Sequence, residues 1–286
     1  TKIAIIGTGN IGTWLFKTLQ NQEHLSVISV SSRKIETLPQ DCDLYIFALK
    51  DDVYGDVLQQ IPFKMSCAVH TSGSLSQSIL APFAERGGVV YPYQTVTQKG
   101  EGRREKGEGR KEKGEGRRGV CHAELVSASH KIAGDPETSS GRNDEGVDGE
   151  AGRGSLTPIC IEASDVDFEN ALFQWANSVF DMVYKIDEKQ RFAMHLAAVF
   201  ANNFTNAMYG VAYQIFKENN LDWSLIFPLL ENGLEKAKQN DPRLIQTGPA
   251  KRNDVSIMDK HCNALGDGDL EMLYKMVSKI ILTTNH

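Results

Sequence analysis

The chain has no CxxC pair, no excess of positive charge and no apolar run long enough to cross a bilayer, and each absence removes a class of function. Its five cysteines, Cys42, Cys67, Cys121, Cys160 and Cys262, are scattered, so neither a zinc ribbon nor a disulfide framework is indicated. They read as small apolar residues in a reducing compartment. With 31 Lys+Arg against 37 Asp+Glu, net −6, no cationic surplus exists to neutralise phosphates, and a nucleic-acid partner is not expected. A membrane span needs ~20 apolar residues, and none is present. No basic segment followed by an apolar stretch marks a signal peptide. His70, His195 and His261 lack the short-range spacing of metal ligands, so no metal is expected. The starting class is a soluble cytoplasmic protein, with 286 residues giving ample length for a sizeable core.

Glycine is unevenly spread: thirteen of the 25 lie between Lys99 and Ser155. That segment opens with a seven-residue unit written three times, KGEGRRE from Lys99, KGEGRKE from Lys106 and KGEGRRG from Lys113. No apolar residue occupies any position of it, so burial has nothing to act on and disorder is expected. Further on, GDPETSSG in ordinary codons reads as PELVSGS in reverse complement, close to the AELVSAS that precedes it. This resembles the repeat elements found inserted in some bacterial reading frames. A basic tether for an acidic partner is the alternative, but 12 Lys+Arg balance 12 Asp+Glu across 99–155, a poor basis for electrostatic capture. Without 99–155 the chain reads as one coherent protein.

Lys2-Ile3-Ala4-Ile5-Ile6 is a short apolar β run leading into Gly7-Thr8-Gly9-Asn10-Ile11-Gly12 and then a helical pattern. A dinucleotide site wants glycine at these three places for separate reasons. Gly7 permits the tight turn, Gly9 lets backbone approach a pyrophosphate, and Gly12 lets helix and strand pack closely. The helix N-terminus offers unpaired N–H groups and a positive dipole end. The whole run Gly7 to Gly12, with Thr8, Asn10 and Ile11, is therefore assigned to a cofactor. A second strand, Leu25 to Val30, ends in Ser31-Ser32-Arg33-Lys34, where an NAD site usually carries a carboxylate. Ser32 and Arg33 suit a 2′-phosphate instead, favouring NADP over NAD. The alternative is that Arg33 and Lys34 begin a solvated helix.

Further short strands are expected at Asp43–Leu49, Cys67–Val69 and Val89–Tyr91, with helices over Val53–Ile61 and from beyond Ser74 to Arg86. After the insertion come strands at Pro158–Glu162 and Met182–Ile186 around a helix, Phe168–Phe180. Alternating strands and helices imply an α/β fold, a doubly wound parallel sheet of Rossmann type over 1–98 and 156–186. Ligands bind beyond the C-terminal strand ends of such sheets. This places Asp51, His70, Thr71, Ser72, Tyr91 and Gln94 near the cofactor, and Leu49 and Lys50 are assigned to it with Asp51.

From Asp187 the period changes and an all-α domain over 187–286 is expected. Asp187 and Gln190 have capping-box spacing, and a helix can run to about Lys217 without proline. Apolar residues surround it, so it is buried between neighbours or across a dimer, and a homodimer is favoured. His195, Asn202 and Asn206 share one face at α-helical spacing. Either that face closes over the nicotinamide, with His195 handling the proton and an Asn orienting the substrate, or the four polar residues His195, Asn202, Asn203 and Asn206 join helices in a core. Further helices follow at Trp223–Lys238, Val255–Leu265 and Leu270–Leu282. Between the first two of these, the loop Gln246–Asp254 carries Lys251 and Arg252. Arg252 is taken as an anion anchor, the alternative being a solvated loop cation.

Six stretches occur in order: Gly7 to Gly12, Ala48-Leu49-Lys50-Asp51-Asp52, His70-Thr71-Ser72-Gly73-Ser74, Tyr91-Pro92-Tyr93-Gln94-Thr95, HLAAVFANNF from His195, and TGPAKRND from Thr247. Together they resemble the bacterial family described as a Rossmann-like domain fused to domain of unknown function 2520, whose members are often provisionally labelled NADP oxidoreductases. The resemblance covers nearly everything outside the insertion. More distantly the chain is similar to pyrroline-5-carboxylate reductase, deazaflavin-dependent NADP reductase and the 6-phosphogluconate dehydrogenase superfamily. That relation implies a helical, commonly dimerising C-terminal domain and hydride chemistry between the domains. Two departures matter. Tyr91 stands where many members have His and is given no acid or base role. The KxxN helix pair of the β-hydroxyacid dehydrogenases is missing, and His195 with Asn202 occupies the comparable region.

The expectation is an NADP(H)-dependent oxidoreductase of a small carbonyl, hydroxy or imine compound. His195 and Asn202 would be catalytic, with Asn203, Arg252, Ser72 and Gln94 on the substrate. The competing readings are a non-catalytic NADP sensor or scaffold, and a copy made inactive by its insertion.

Overall fold

The computed structural model describes residues 1–94 and 157–284. The expected insertion at 99–155 lies outside the described residues. The chain divides into two units, Thr1–Ala198 and Val199–His286.

In the first unit β1 (Lys2–Ile6), β2 (Ser26–Val30), β3 (Leu44–Phe47), β4 (Met65–His70), β5 (Ala84–Pro92), β6 (Ile159–Ala163) and β7 (Val183–Lys185) form one sheet among the described residues, ordered β2-β1-β3-β4-β5-β6-β7. Helices α1 (Asn10–Leu19), α2 (Tyr54–Gln59), α3 (Val166–Asn177) and α4 (Glu188–Ala198) complete the unit. This is the expected α/β Rossmann sheet, and an all-α unit follows it. β1 shows why its sequence is apolar without a break: both faces are covered. Ile3 and Ile5 pack with Leu15, Leu19, Leu44, Ile46 and Phe168 on one side. Ala4 and Ile6 pack with Tyr45, Phe47, Tyr54 and Leu58 on the other.

Three local expectations differ. The sheet is parallel except at β5 and β6, which run antiparallel with Pro92 opposite Ile159 and Gly88 opposite Ala163. The chain leaves β5 and re-enters β6 at the same end of the sheet, and only an antiparallel pair closes that way. The helix expected up to Arg86 shrinks to one 3-10 turn at Gln77–Leu80, and Pro82, which has no backbone N–H to donate, follows directly after its end at Ala81. β5 therefore begins at Ala84, with Arg86 and Gly87 paired to Cys67 and Ala68. After β2 no solvated helix starts at Arg33; the crossover holds a single 3-10 turn, Ile35–Thr37, before Pro39.

The reciprocal cap expected at the start of α4 is present. The Asp187 N–H donates to Gln190 Oε1 at 2.9 Å, and the Gln190 N–H donates to Asp187 Oδ1 at 2.7 Å.

The second unit opens with a π-helical stretch, Val199–Phe204, and continues as α5 (Thr205–Glu218), α6 (Phe227–Gln239), α7 (Val255–Leu265) and α8 (Asp269–Thr283). The 3.6-residue period, on which one shared face for His195, Asn202 and Asn206 rests, is interrupted in that stretch by wider turns. Trp223 gathers Tyr213, Phe216 and Phe227 edge-on, with centroids 5.3, 5.4 and 6.1 Å away. Among the described residues of this unit Ala250 alone is buried. Phe200, Leu229 and Leu244 are exposed at 62%, 70% and 82%. An apolar cavity of ≈ 350 Å³ opens among Val211, Ile215, Leu265, Leu273 and Val277. No helix among the described residues is long and apolar enough to cross a membrane.

Candidate functional site

The turn from β1 into α1 separates the three glycines by cause. Gly7 has φ +119°, and a Cβ on it would lie 2.2 Å from the Ala48 carbonyl oxygen. A Cβ on Gly12 would lie 1.9 Å from the Gly7 carbonyl oxygen. Both positions are closed to any side chain by the strand-to-helix packing itself. Gly9 differs: its φ is −73°, which any residue adopts, and nothing lies within 4 Å of its would-be Cβ. The fold does not require glycine there. Thr8, Gly9 and Asn10 are exposed, while Ile11 is half-buried. The amides of Asn10, Ile11 and Gly12 precede the first i→i−4 partner of α1, and no side chain caps them. The open space at Gly9, facing unpartnered amides, fits a dinucleotide phosphate.

β2 adjoins this turn, since the Gly7 N–H donates to Val30 O at 2.9 Å. The strand delivers half-buried Ser32 and exposed Arg33 beside it. The Arg33 backbone N–H donates to Ser31 Oγ at 3.3 Å, and its guanidinium makes no ion pair among the described residues. From the other side β3 brings Ala48, whose N–H donates to Ile6 O at 2.8 Å, followed by Leu49, Lys50 and Asp51. Leu49 Cδ2 comes within 3.2 Å of the position a Cβ on Gly7 would take. Asp51 Oδ2 accepts a short hydrogen bond from Ser74 Oγ.

The segment after β4, His70 to Ser76, ties these elements to α4. Ser72 Oγ accepts from the N–H groups of Ser74 and Leu75 at 3.1 and 3.0 Å. Ser72 O accepts from Arg191 Nη1 at 3.0 Å, and Ser76 Oγ donates to Glu188 Oε2 at 2.8 Å. Arg191 is fully buried, and its Nε donates to Glu162 Oε2 at 3.1 Å, with Glu162 only 6% exposed. Burial raises the Glu162 carboxyl despite the guanidinium beside it. One turn further along α4, His195 Nδ1 lies 3.1 Å from the Tyr91 hydroxyl. A Cβ on Gly73 would come within 2.6 Å of that same nitrogen.

His70 is wholly buried. Its Nδ1 accepts from the Ser72 N–H at 3.2 Å, and its Nε2 meets no acceptor at hydrogen-bond distance. Burial first, and the Arg191 charge second, push it down to about 4, and the Ser76 backbone offsets this only in part. The folded pKa is thus below the unfolded ~6.5, so the unfolded chain takes a proton first as pH falls. Stability is expected to drop by ~1.4 kcal/mol per pH unit from pH ~6.5 to ~4, about 3 kcal/mol in all. Glu162, with a raised pKa, contributes in the opposite sense. Urea unfolding of wild type and His70→Asn across this range isolates the His70 part: the variant should lose that slope.

Of the sequence-assigned residues, the first unit brings together Gly7 to Gly12, Ser32 and Arg33 around one turn, with Leu49 to Asp51 on its flank. Ser72 is linked to this flank through Ser74 and to α4 through Arg191. Gln94 is exposed at the end of β5, its Oε1 accepting a short hydrogen bond from Thr157 Oγ1. Asn202 and Asn203 lie in the π-helical stretch of the second unit, both exposed, with Asn202 Nδ2 donating to Asn203 Oδ1 at 3.4 Å. Arg252 is exposed in the loop before α7, between Gly248 at φ +102° and Asn253 at φ +52°. Asp254 ends this loop by accepting from the Ile257 N–H at 3.2 Å.

Sequence reasoning leaves out Arg191 and Glu162. A signal was there: Glu162 interrupts the apolar strand Ile159-Cys160-Ile161, and a buried charge needs an opposite partner. Cys42, Cys67 and Cys160 carry thiols pushed up by burial and are unpaired, as is Cys262.

Fold and glycine turn define a Rossmann-like protein. Residues 157–281 match the family described as Domain of unknown function (DUF2520), and the HLAAVFANNF and TGPAKRND stretches lie within that match. The match spans β6, α3 and β7 as well as the helical unit. The chain is similar to a Bacteroides fragilis protein provisionally assigned as an NADP oxidoreductase, at 25% identity and TM-score 0.73, over 99% of this chain and 98% of that one. A Thermotoga maritima protein matches at 16% identity and TM-score 0.60, with the same coverage of each chain. The Plasmodium falciparum pyrroline carboxylate reductase with NADP bound matches at 11% and TM-score 0.50, over 100% of this chain and 98% of that one. No curated protein matches.

Proposed function

We propose that the protein is an NADP(H)-dependent oxidoreductase of a small carbonyl, hydroxy or imine compound. The observation that carries this reading is Gly9, a glycine that neither space nor backbone conformation demands, at the mouth of a helix with unpartnered amides. The similarity to the provisionally assigned NADP oxidoreductase supports it. Gly7, Thr8, Gly9, Asn10, Ile11 and Gly12 would hold the pyrophosphate. Ser32 and Arg33 would meet a 2′-phosphate, with Leu49, Lys50 and Asp51 along the flank. When bound, the nicotinamide supplies or accepts the hydride. His195 serves the reacting oxygen or nitrogen as proton donor or acceptor. Asn202 orients the substrate, and Asn203, Arg252, Ser72 and Gln94 bind it. The helical unit, with Ala250 as its single buried described residue, would complete its core against a second copy, giving a homodimer.

Gly9→Ala tests the nucleotide site. Titration with NADPH and with NADH should show wild-type binding that prefers NADPH. The variant should lose at least about tenfold in affinity, a loss of ~1.4 kcal/mol, with its melting temperature unchanged. Equal affinity in both proteins would remove the pyrophosphate assignment. Binding without NADPH oxidation against small oxo acids and imines would leave a sensor or scaffold.

A further inference from the structure

The sequence resemblance assigns Tyr91 no acid or base role, yet its hydroxyl has one hydrogen-bond partner among the described residues, His195 Nδ1 at 3.1 Å. The two residues are 104 apart in sequence and meet because β5 ends where α4 passes. The direction of the bond follows from burial. Tyr91 is 8% exposed, and a buried phenol that accepted from Nδ1–H would leave its own O–H without an acceptor. As donor it satisfies itself and the imidazole lone pair at once. Burial, with Tyr93 and Cys160 nearby, pushes its pKa up to about 12 against the opposing Arg191 charge, so the hydroxyl keeps its proton.

Gly73 closes the other side of the ring. Its would-be Cβ lies 2.6 Å from Nδ1, 2.7 Å from Cγ and 3.0 Å from Cβ of His195. The ring cannot swing toward the β4 loop, and that loop is fixed in turn by the Arg191 bond to Ser72 O. Nε2 makes no hydrogen bond to the described residues, and the side chain is half-buried.

We infer that Tyr91 is a positioning residue which, with Gly73 as a stop, holds His195 as the neutral Nε2–H tautomer, so that Nε2 is the hydrogen-bond donor offered to a substrate carbonyl oxygen or imine nitrogen. The donor role toward substrate rests on the function proposed above; the tautomer does not. A neutral imidazole held in this way polarises the acceptor without carrying a charge of its own.

The test uses full-length protein with 15N-labelled histidine, at a pH where imidazole is neutral. The His195 signals are identified by their loss in His195→Ala. Wild type should show one tautomer, protonated at Nε2. Tyr91→Phe removes only the oxygen and should give a tautomer mixture, together with a roughly tenfold fall in turnover, a fraction of the 10²–10⁴ expected for loss of the ring. Gly73→Ala should turn the ring off Tyr91 and give the same spectral change with Tyr91 intact. An Nδ1–H tautomer in wild type, or an unchanged single tautomer in Tyr91→Phe, overturns the inference. If the spectra change as expected but His195→Ala keeps full turnover, the positioning stands and the catalytic role of His195 falls instead.

Discussion

Replacing His195 with alanine should lower turnover by ~10²–10⁴, equivalent to ~2.7–5.5 kcal/mol of barrier, while NADPH affinity stays the same. The split is expected because His195 comes from α4 and faces Tyr91 and Gly73, whereas the Gly7 to Gly12 turn, proposed to hold the pyrophosphate, is built between β1 and α1. The side chain is half-buried and gives up a single hydrogen bond, so the variant should remain folded. The measurement is NADPH oxidation, first screened in wild type over small oxo acids, imines and deazaflavins, then repeated with the variant at saturating cofactor. An unchanged rate would return His195 to a structural role.

The second large effect is on stability. Arg191→Met should destabilise the fold by ~3–5 kcal/mol. Arg191 has no exposed surface, and its removal leaves two acceptors stranded: Glu162 Oε2, which its Nε reaches at 3.1 Å, and Ser72 O, which its Nη1 reaches at 3.0 Å. An unpaired carboxylate at 6% exposure cannot be rehydrated without opening the packing of α4 against β6. Burial already raises the Glu162 pKa, and losing the cation raises it further. The destabilisation should therefore shrink as pH falls through that value and the carboxyl becomes neutral. Adding Glu162→Leu to Arg191→Met should recover part of the loss, since removing both charges is far less damaging than orphaning one. Urea unfolding of the two variants measures both statements. Equal stability of wild type and Arg191→Met would mean that water reaches this pair.

The parts of the fold legible in the sequence are those written in short spans. β1 reads directly because both faces are buried, and the glycine turn because two steric demands, at Gly7 and Gly12, and one glycine that packing does not require, Gly9, fall within six residues. The Asp187–Gln190 box reads because its partners are three apart. What the sequence conceals is relational. Nothing local in Val89-Val90-Tyr91 announces that β5 starts five residues earlier or pairs antiparallel with β6. The long helix from Asp187 is visible, but not its wider turn at Val199–Phe204, since π geometry leaves no composition signature. At the site, His195 stands out as a histidine in an apolar helix, while Tyr91 and Gly73 acquire meaning only when the chain closes on itself. Arg191 sits four residues before His195, and its burial depends on a glutamate 29 positions away.

The pairing of β5 with β6 has a consequence for how this chain tolerates change. Pro92 lies opposite Ile159, the Tyr93 N–H donates to Pro158 O at 2.8 Å, and Gln94 is bonded to Thr157. Entry and exit of whatever joins Gln94 to Thr157 are thereby clasped by the sheet itself. Doubling the length of such a connection adds only ~0.6 kcal/mol of closure entropy. The clasp makes this corner a graft point: genetic material can accumulate there, or a reporter domain be spliced in by design, while the glycine turn and the Tyr91–His195 pair keep their places.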